Sequence, residues 1–206
     1  MTFKGEFLLF DLQQDRQLSV SLQRHHAQWQ ADSPPQTRRA ALYLKLWKFM
    51  TPLTDAYQQA LLKELRAWVG SPDEARPEYC CMSEAELQAM ARSPLFSIGG
   101  HTMTHPALAL HPQELQLLEV QQGKEALEAL TGKPLSLFAY PSGSFSDATI
   151  KAVQQAGYTA AFTTDARPVL QQDQPYRLGR FQVKDVDGKT FERQLNQWFK
   201  AKASQS

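Results

Sequence analysis

The chain has only two cysteines in 206 residues, Cys80 and Cys81, and they are adjacent. Neighbouring cysteines make a strained and uncommon disulfide. They also lack the spaced partners of a structural zinc site. A disulfide scaffold and a cysteine-type zinc module are therefore excluded, and two ordinary thiols lean toward a reducing, cytoplasmic setting. No apolar run approaches the roughly 20 residues of a membrane span. Residues 1–6 lead into an interrupted apolar stretch that does not read as a signal peptide. An excess of one charge is missing too: 22 Lys and Arg stand against 21 Asp and Glu, a net charge of +1. That balance offers no electrostatic footprint for nucleic acid or an anionic membrane. With 42% hydrophobic and 21% charged residues, the chain can bury a core and is not disordered by composition.

What is present divides near residue 93, giving segments 1–93 and 94–201 and a disordered tail at 202–206. The first segment reads as a hairpin and helices. Strands at 7–12 and 17–22 flank the polar turn Gln13-Gln14-Asp15-Arg16, the second with clear alternation. Helical spacing then links Leu42, Leu46, Phe49 and Met50, and again Leu61, Leu62, Leu65, Trp68 and Val69, with Pro52 between the two sets. Ser83 and Glu86 form a capping box that opens a third helix. The four tryptophans, Trp29, Trp47, Trp68 and Trp198, fall on or beside apolar helical faces, and most read as core.

Beyond residue 93 short apolar strands alternate with helices. Strands are expected at 95–98, 135–140, 159–164 and 178–183. Helices are expected at 112–130, from the cap Ser146 to residue 156, and around Phe191, Leu195, Trp198 and Phe199. This rhythm predicts an α/β fold with a parallel sheet built of right-handed βα units. A complete eight-unit barrel takes about 250 residues; four such strands make only a partial (β/α) barrel.

The most informative run is Ile98-Gly99-Gly100-His101-Thr102-Met103-Thr104-His105-Pro106. Two imidazoles four residues apart can lie one turn apart and share a metal ion, and neutral imidazole suits zinc. The same spacing also serves a solvated helix face or a set of caps. The glycines describe a defined turn just past the end of a strand, where α/β folds place their chemistry. Pro141-Ser142-Gly143, Thr164-Asp165 and Lys184-Asp185 follow the next three strands. In a parallel sheet all of these converge on one rim.

These blocks resemble the polysaccharide deacetylases, the NodB-homology group also called carbohydrate esterase family 4, over roughly residues 82–199. Gly100-His101 through His105-Pro106 matches the family's His-x-x-x-His-Pro motif. Phe138-Ala139-Tyr140-Pro141-Ser142-Gly143 is similar to its next strand-end motif, with the Ala-Tyr-Pro of the exopolysaccharide-biosynthesis branch. Ala156-Gly157-Tyr158 through Thr164 is similar to the block that follows. The resemblance implies a distorted barrel that removes N-acetyl or O-acetyl groups from an amino-sugar polymer or oligosaccharide. It also implies a divalent metal, usually zinc, held by two histidines and an aspartate, with a second aspartate as base. Carried over by position, His101 and His105 are metal ligands, and the Ser142 N–H is an oxyanion donor beside Tyr140 and Pro141. Phe145, Asp165 and Arg180 fall on the substrate side; for a sugar-binding role Tyr140, Phe145 and Tyr176 are rim aromatics that could stack on sugar rings, with packing under the loop as the other reading of Phe145.

The departures from the family are severe. No Asp-Asp pair occurs anywhere in the sequence, and Phe10-Asp11 is its nearest imitation. Leu178-Gly179-Arg180 stands where the family has Leu-x-His, and Ala139 stands at the position of an arginine that orients the base. His111, before Pro112, reads as a cap or surface residue. Two imidazoles without a carboxylate make an incomplete metal shell. The expectation is the C-terminal portion of a longer deacetylase, weakly active or inactive. The alternatives are a non-catalytic carbohydrate-binding or scaffold domain, and a module that forms homo-oligomers through an open sheet edge near Leu95.

Overall fold

A computed structural model describes residues 2–3, 6–7, 12, 15, 17–72, 74 and 77–203. The chain forms two compact units, Met1–Glu78 and Tyr79–Ser206. No described helix is long and apolar enough to cross a membrane.

In the first unit, β1 (Thr2–Phe3) pairs antiparallel with β2 (Glu6–Phe7), Thr2 facing Phe7. Residues 8–11, with the Asp11 candidate, lie outside the described residues. Three helices follow: α1 (Val20–Gln28), α2 (Arg38–Met50) and α3 (Asp55–Val69). The expected strand at 17–22 is corrected to a helix start. The Ser19 side chain accepts from the Leu22 N–H, a local cap that overrides the alternation of Leu18, Val20 and Leu22. Thr37 caps α2 in the same way, and Gly70 ends α3 in the left-handed region at φ 66°. Trp47 and Trp68 are exposed rather than core.

The second unit carries the βα rhythm. It contains α4 (Glu84–Arg92), α5 (Gln113–Thr131), β3 (Leu137–Ala139), α6 (Asp147–Gln155), β4 (Ala160–Phe162) and α7 (Gly188–Ala203). The Ser83–Glu86 capping box forms, and Ser146 caps α6 as expected, in a box with Thr149 that the sequence reading did not include. The expected boundary at 93 placed α4 with the first segment; it belongs to the second unit. Of the expected tail, 202–203 lie in α7, and 204–206 are outside the described residues.

β3 and β4 pair in parallel with Phe138 opposite Ala161. On their flanks Gly100 bridges to Phe138 and Leu178 to Phe162, each in parallel and each as a single bridge. Four parallel segments therefore stand in the expected order, but the outer two are shorter than the sequence pattern predicts. Leu95 and Phe96 are exposed. A flanking segment with a neighbour on one side gains little from extending its ladder. Leu108, Val120, Leu135, Phe138, Tyr140, Val153, Tyr158 and Ala161 form the buried cluster. The second unit is a partial α/β barrel.

Candidate active site

The parallel segments deliver their C-terminal ends to one cleft of about 440 Å³, lined by His101, His105, Ser142, Thr164, Arg180, Phe181 and Gln182. His101 follows the Gly100 bridge, where Gly100 N–H donates to Leu137 O and Ala139 N–H donates to Gly100 O. A Cβ on Gly100 would sit 2.0 Å from the Tyr158 hydroxyl, so only glycine lets that ring close the wall. The segment from His101 to His105 is not helical, which corrects the one-turn geometry suggested by the spacing. Thr102 and His105 instead adopt left-handed backbone, φ 66° and 64°, which carries the chain around so that both rings face each other. Their centroids are 4.9 Å apart and their planes cross at 70°.

The His101 Nδ1 lies 2.7 Å from the Ala139 carbonyl oxygen. A carbonyl only accepts, so Nδ1 carries the proton and Nε2 keeps its lone pair. That is the second-shell arrangement typical of a metal-binding imidazole. Burial pushes the His101 pKa down from the usual 6.5, and the nearby His105 and Arg180 push it the same way, against the bond to Ala139. His101 therefore stays neutral to lower pH than a free imidazole. Its folded pKa is depressed, so the unfolded chain binds the proton more readily and stability contributed here falls as pH drops below about 6.5. An NMR titration is expected to put the His101 midpoint below that of an exposed histidine; a midpoint at or above 6.5 would contradict the burial argument.

Ser142 is exposed at the lip, in a short turn (Pro141–Gly143) over buried Pro141. Its φ of 54° is left-handed. Gly143, also left-handed, has no room for a Cβ, which would lie 2.1 Å from Thr164 Oγ1. Arg180 is held at the opposite lip by its Nε donating to Thr163 O and its backbone N–H to Asp165 O.

Several sequence expectations change here. Tyr140 is fully buried, its hydroxyl donating to the Tyr176 carbonyl at 2.9 Å, so its ring is not a rim aromatic. Phe145 stacks on Tyr140 at 4.8 Å and does not line the cleft, nor does Tyr176, whose hydroxyl donates to Tyr158 O. Asp165 is exposed and organises the Arg180 loop through its backbone; its side chain is not among the cleft residues. His111 is buried, and its Nε2 has no hydrogen-bond partner among the described residues. Thr164, expected at the rim, lines the cleft; Phe181 and Gln182 were missed, although they directly follow Arg180 in the expected fourth strand. Phe181 is held flat against Trp198 of α7, with centroids 4.5 Å apart.

Among the described residues no three of His, Cys, Asp and Glu stand together as a metal cage. The pair fits a metal as two nitrogen donors, one with its tautomer already set.

Parallel segments meeting in a two-histidine cleft define a site at the strand ends of a partial α/β barrel. Residues 54–161, more than half of the chain, match the family model described as polysaccharide deacetylase. The chain belongs to the polysaccharide deacetylase family. It is 27% identical over 176 residues to YxkH of Bacillus subtilis (strain 168), a protein named as a polysaccharide deacetylase, covering 77% of this chain and 62% of that one. The chain thus spans less than two thirds of that relative's length. Two solved structures share the fold. The Streptococcus pyogenes deacetylase PplD, in complex with acetate, aligns at a TM-score of 0.52 with 19% identity over 57% of this chain and 52% of its own. IcaB from Ammonifex degensii aligns at 0.50 with 21% identity over 66% and 64%.

Proposed function

We propose that this chain supplies the histidine side of a metal-dependent deacetylase site that acts on an N-acetylated amino-sugar polymer. The observation that carries this is the His101–His105 pair, ring to ring in a cleft beside the Ser142 turn, in a chain of this family. His101 and His105 would hold a divalent cation such as zinc. Bound there, the cation polarises the amide carbonyl and lowers the pKa of water. The Ser142 backbone N–H, presented by its left-handed turn, serves as donor to the developing oxyanion. Arg180 adds a fixed positive charge at the opposite lip.

A general base is not found beside the pair: the sequence has no Asp-Asp pair, and among the described residues no carboxylate lines the cleft. Loss of a positioned base costs roughly 10²–10⁴-fold in rate, so the 206-residue chain is expected to be weakly active or inactive. A non-catalytic sugar-binding role finds little support, because Tyr140 is buried and Phe145 lies under Arg177 and against Tyr140.

Two measurements test the proposal together. Zinc titration by calorimetry is expected to show binding that is lost in His101→Ala and in His105→Ala. Acetate release from an N-acetylglucosamine oligomer with zinc present is expected to be at least about a hundredfold below ordinary enzyme rates. Turnover of tens per second, or zinc binding indifferent to both histidines, sinks it.

A further inference from the structure

The turn between the two histidines is held from behind by a single side chain on α5, and nothing in the mechanism above uses it. Glu119 is buried at 8% exposure. Its Oε2 accepts from the Met103 N–H at 3.1 Å and the Thr104 N–H at 2.8 Å, and its Oε1 accepts from the Thr104 hydroxyl at 2.7 Å. Both middle residues of the turn are thus tied to one carboxylate. Charge-assisted bonds of this kind are roughly twice as strong as neutral ones.

The turn needs an external restraint. Thr102 and His105, on either side of Met103 and Thr104, hold left-handed backbone without being glycine, each at a cost of order 1–2 kcal/mol. The internal bond from His105 N–H to Thr102 Oγ1 at 3.0 Å fixes only the far end. Without Glu119, two backbone N–H groups lose their acceptor and the strained residues lose the contact that offsets their strain. The His105 ring, which is exposed at the end of the turn, would lose its orientation toward His101. We infer that Glu119 is the positioning residue of the site: it touches neither metal nor substrate, and it sets the distance between the two imidazoles. This inference rests on the reading of His101 and His105 as a ligand pair.

The same helix supplies its own control. Glu128 also uses its carboxylate as a backbone acceptor, from the Leu135 N–H at 2.7 Å, where the chain enters β3 and not at the turn. Glu119→Ala, Glu119→Gln and Glu128→Ala are compared with the parent chain. Gln keeps a carbonyl oxygen for the two N–H groups and an amide that can donate to the rotatable Thr104 hydroxyl, so it should rescue.

In a zinc titration Glu119→Ala is expected to weaken affinity about 10–100-fold, the usual effect of removing an outer-shell partner. Glu119→Gln should stay within about threefold of the parent, and Glu128→Ala should leave affinity unchanged even where thermal stability falls. The metal-free protein gives an independent readout. Amide exchange at Met103 and Thr104, and the ring-to-ring nuclear Overhauser effect between His101 and His105, should change in Glu119→Ala and in neither of the others. Zinc affinity equal in Glu119→Ala and the parent overturns the inference, as does an equal loss in Glu128→Ala. If the parent binds no zinc, the ligand-pair reading fails. The inference then stands or falls on the metal-free readout: loss of the ring contact in Glu119→Ala supports it, and an unchanged ring contact overturns it.

Discussion

Gly123→Ala is expected to destabilise the second unit and loosen the histidine turn, although alanine is the better helix former. In a helix interior the exchange alone is worth about 1 kcal/mol in favour of alanine. Gly123, however, is the point at which α5 passes against the turn. A Cβ there would lie 2.5 Å from the Thr102 carbonyl carbon, 2.6 Å from its oxygen and 2.9 Å from the Met103 nitrogen. All three are backbone atoms of the Thr102–Met103 peptide, whose N–H is one of the two bound by Glu119, so none can swing aside as a side chain would. Overpacking of this kind costs typically about 1–3 kcal/mol, and with no flexible neighbour the upper part of that range applies. The net expectation is a loss of about 1–2 kcal/mol, read as a lower urea midpoint, together with weaker zinc binding. A variant as stable as the parent would mean that the helix and turn are not in the contact described.

The second large effect is expected at Tyr140. Its ring is fully buried, stacked on Phe145 and edge-on to Phe138 at 5.5 Å. Burial also raises its phenol pKa far above the usual 10, so it stays protonated and donates to Tyr176 O throughout the physiological range. Tyr140→Ala should cost about 3–5 kcal/mol, as for other large aromatic truncations. Tyr140→Phe keeps the ring and loses one bond. Its cost should be about 1 kcal/mol, with 1–3 as the range if the Tyr176 carbonyl is left unsatisfied. Neither should alter zinc affinity measured on folded protein beyond what stability explains. A Tyr140→Phe variant of parental stability that lost ligand binding would return this residue to the cleft.

The contrast between what was legible in the sequence and what was not follows from the range of each signal. Helix starts were legible because caps are local: Ser83 with Glu86 and the Ser146 cap act within a few residues. Strand lengths were not, because pairing is decided by a neighbour distant in sequence. Thus the expected strand at 95–98 forms no bridge itself, the pairing falling at Gly100 just beyond it, and 178–183 contributes a single bridge at Leu178. At 17–22 two local signals competed, and the Ser19 cap prevailed over alternation. The histidine pair and the Ser142 turn were found by motif, and both line one cleft. Glu119 and Gly123 could not be found that way. On the sequence they are one acidic and one small residue of a helix, and their roles exist only once α5 packs behind the turn. An unpunctuated glycine in mid-helix was the one available hint, since it weakens the helix unless something needs the space. Tyr140 was misjudged because a three-residue strand carries too short an alternation to say which face its last neighbour takes.

Thr102, His105 and Ser142 share one further property: each sits in a backbone basin that its side chain disfavours, and two of them, His105 and Ser142, line the cleft. The rim of the cleft is therefore a sprung latch, kept closed by neighbours rather than by its own preference. Under heat or mild denaturant such a latch lets go before the sheet behind it melts. The shape of the cleft in this protein should then vanish while the bulk of the unit is still folded, and an assay that follows only secondary structure would miss the event.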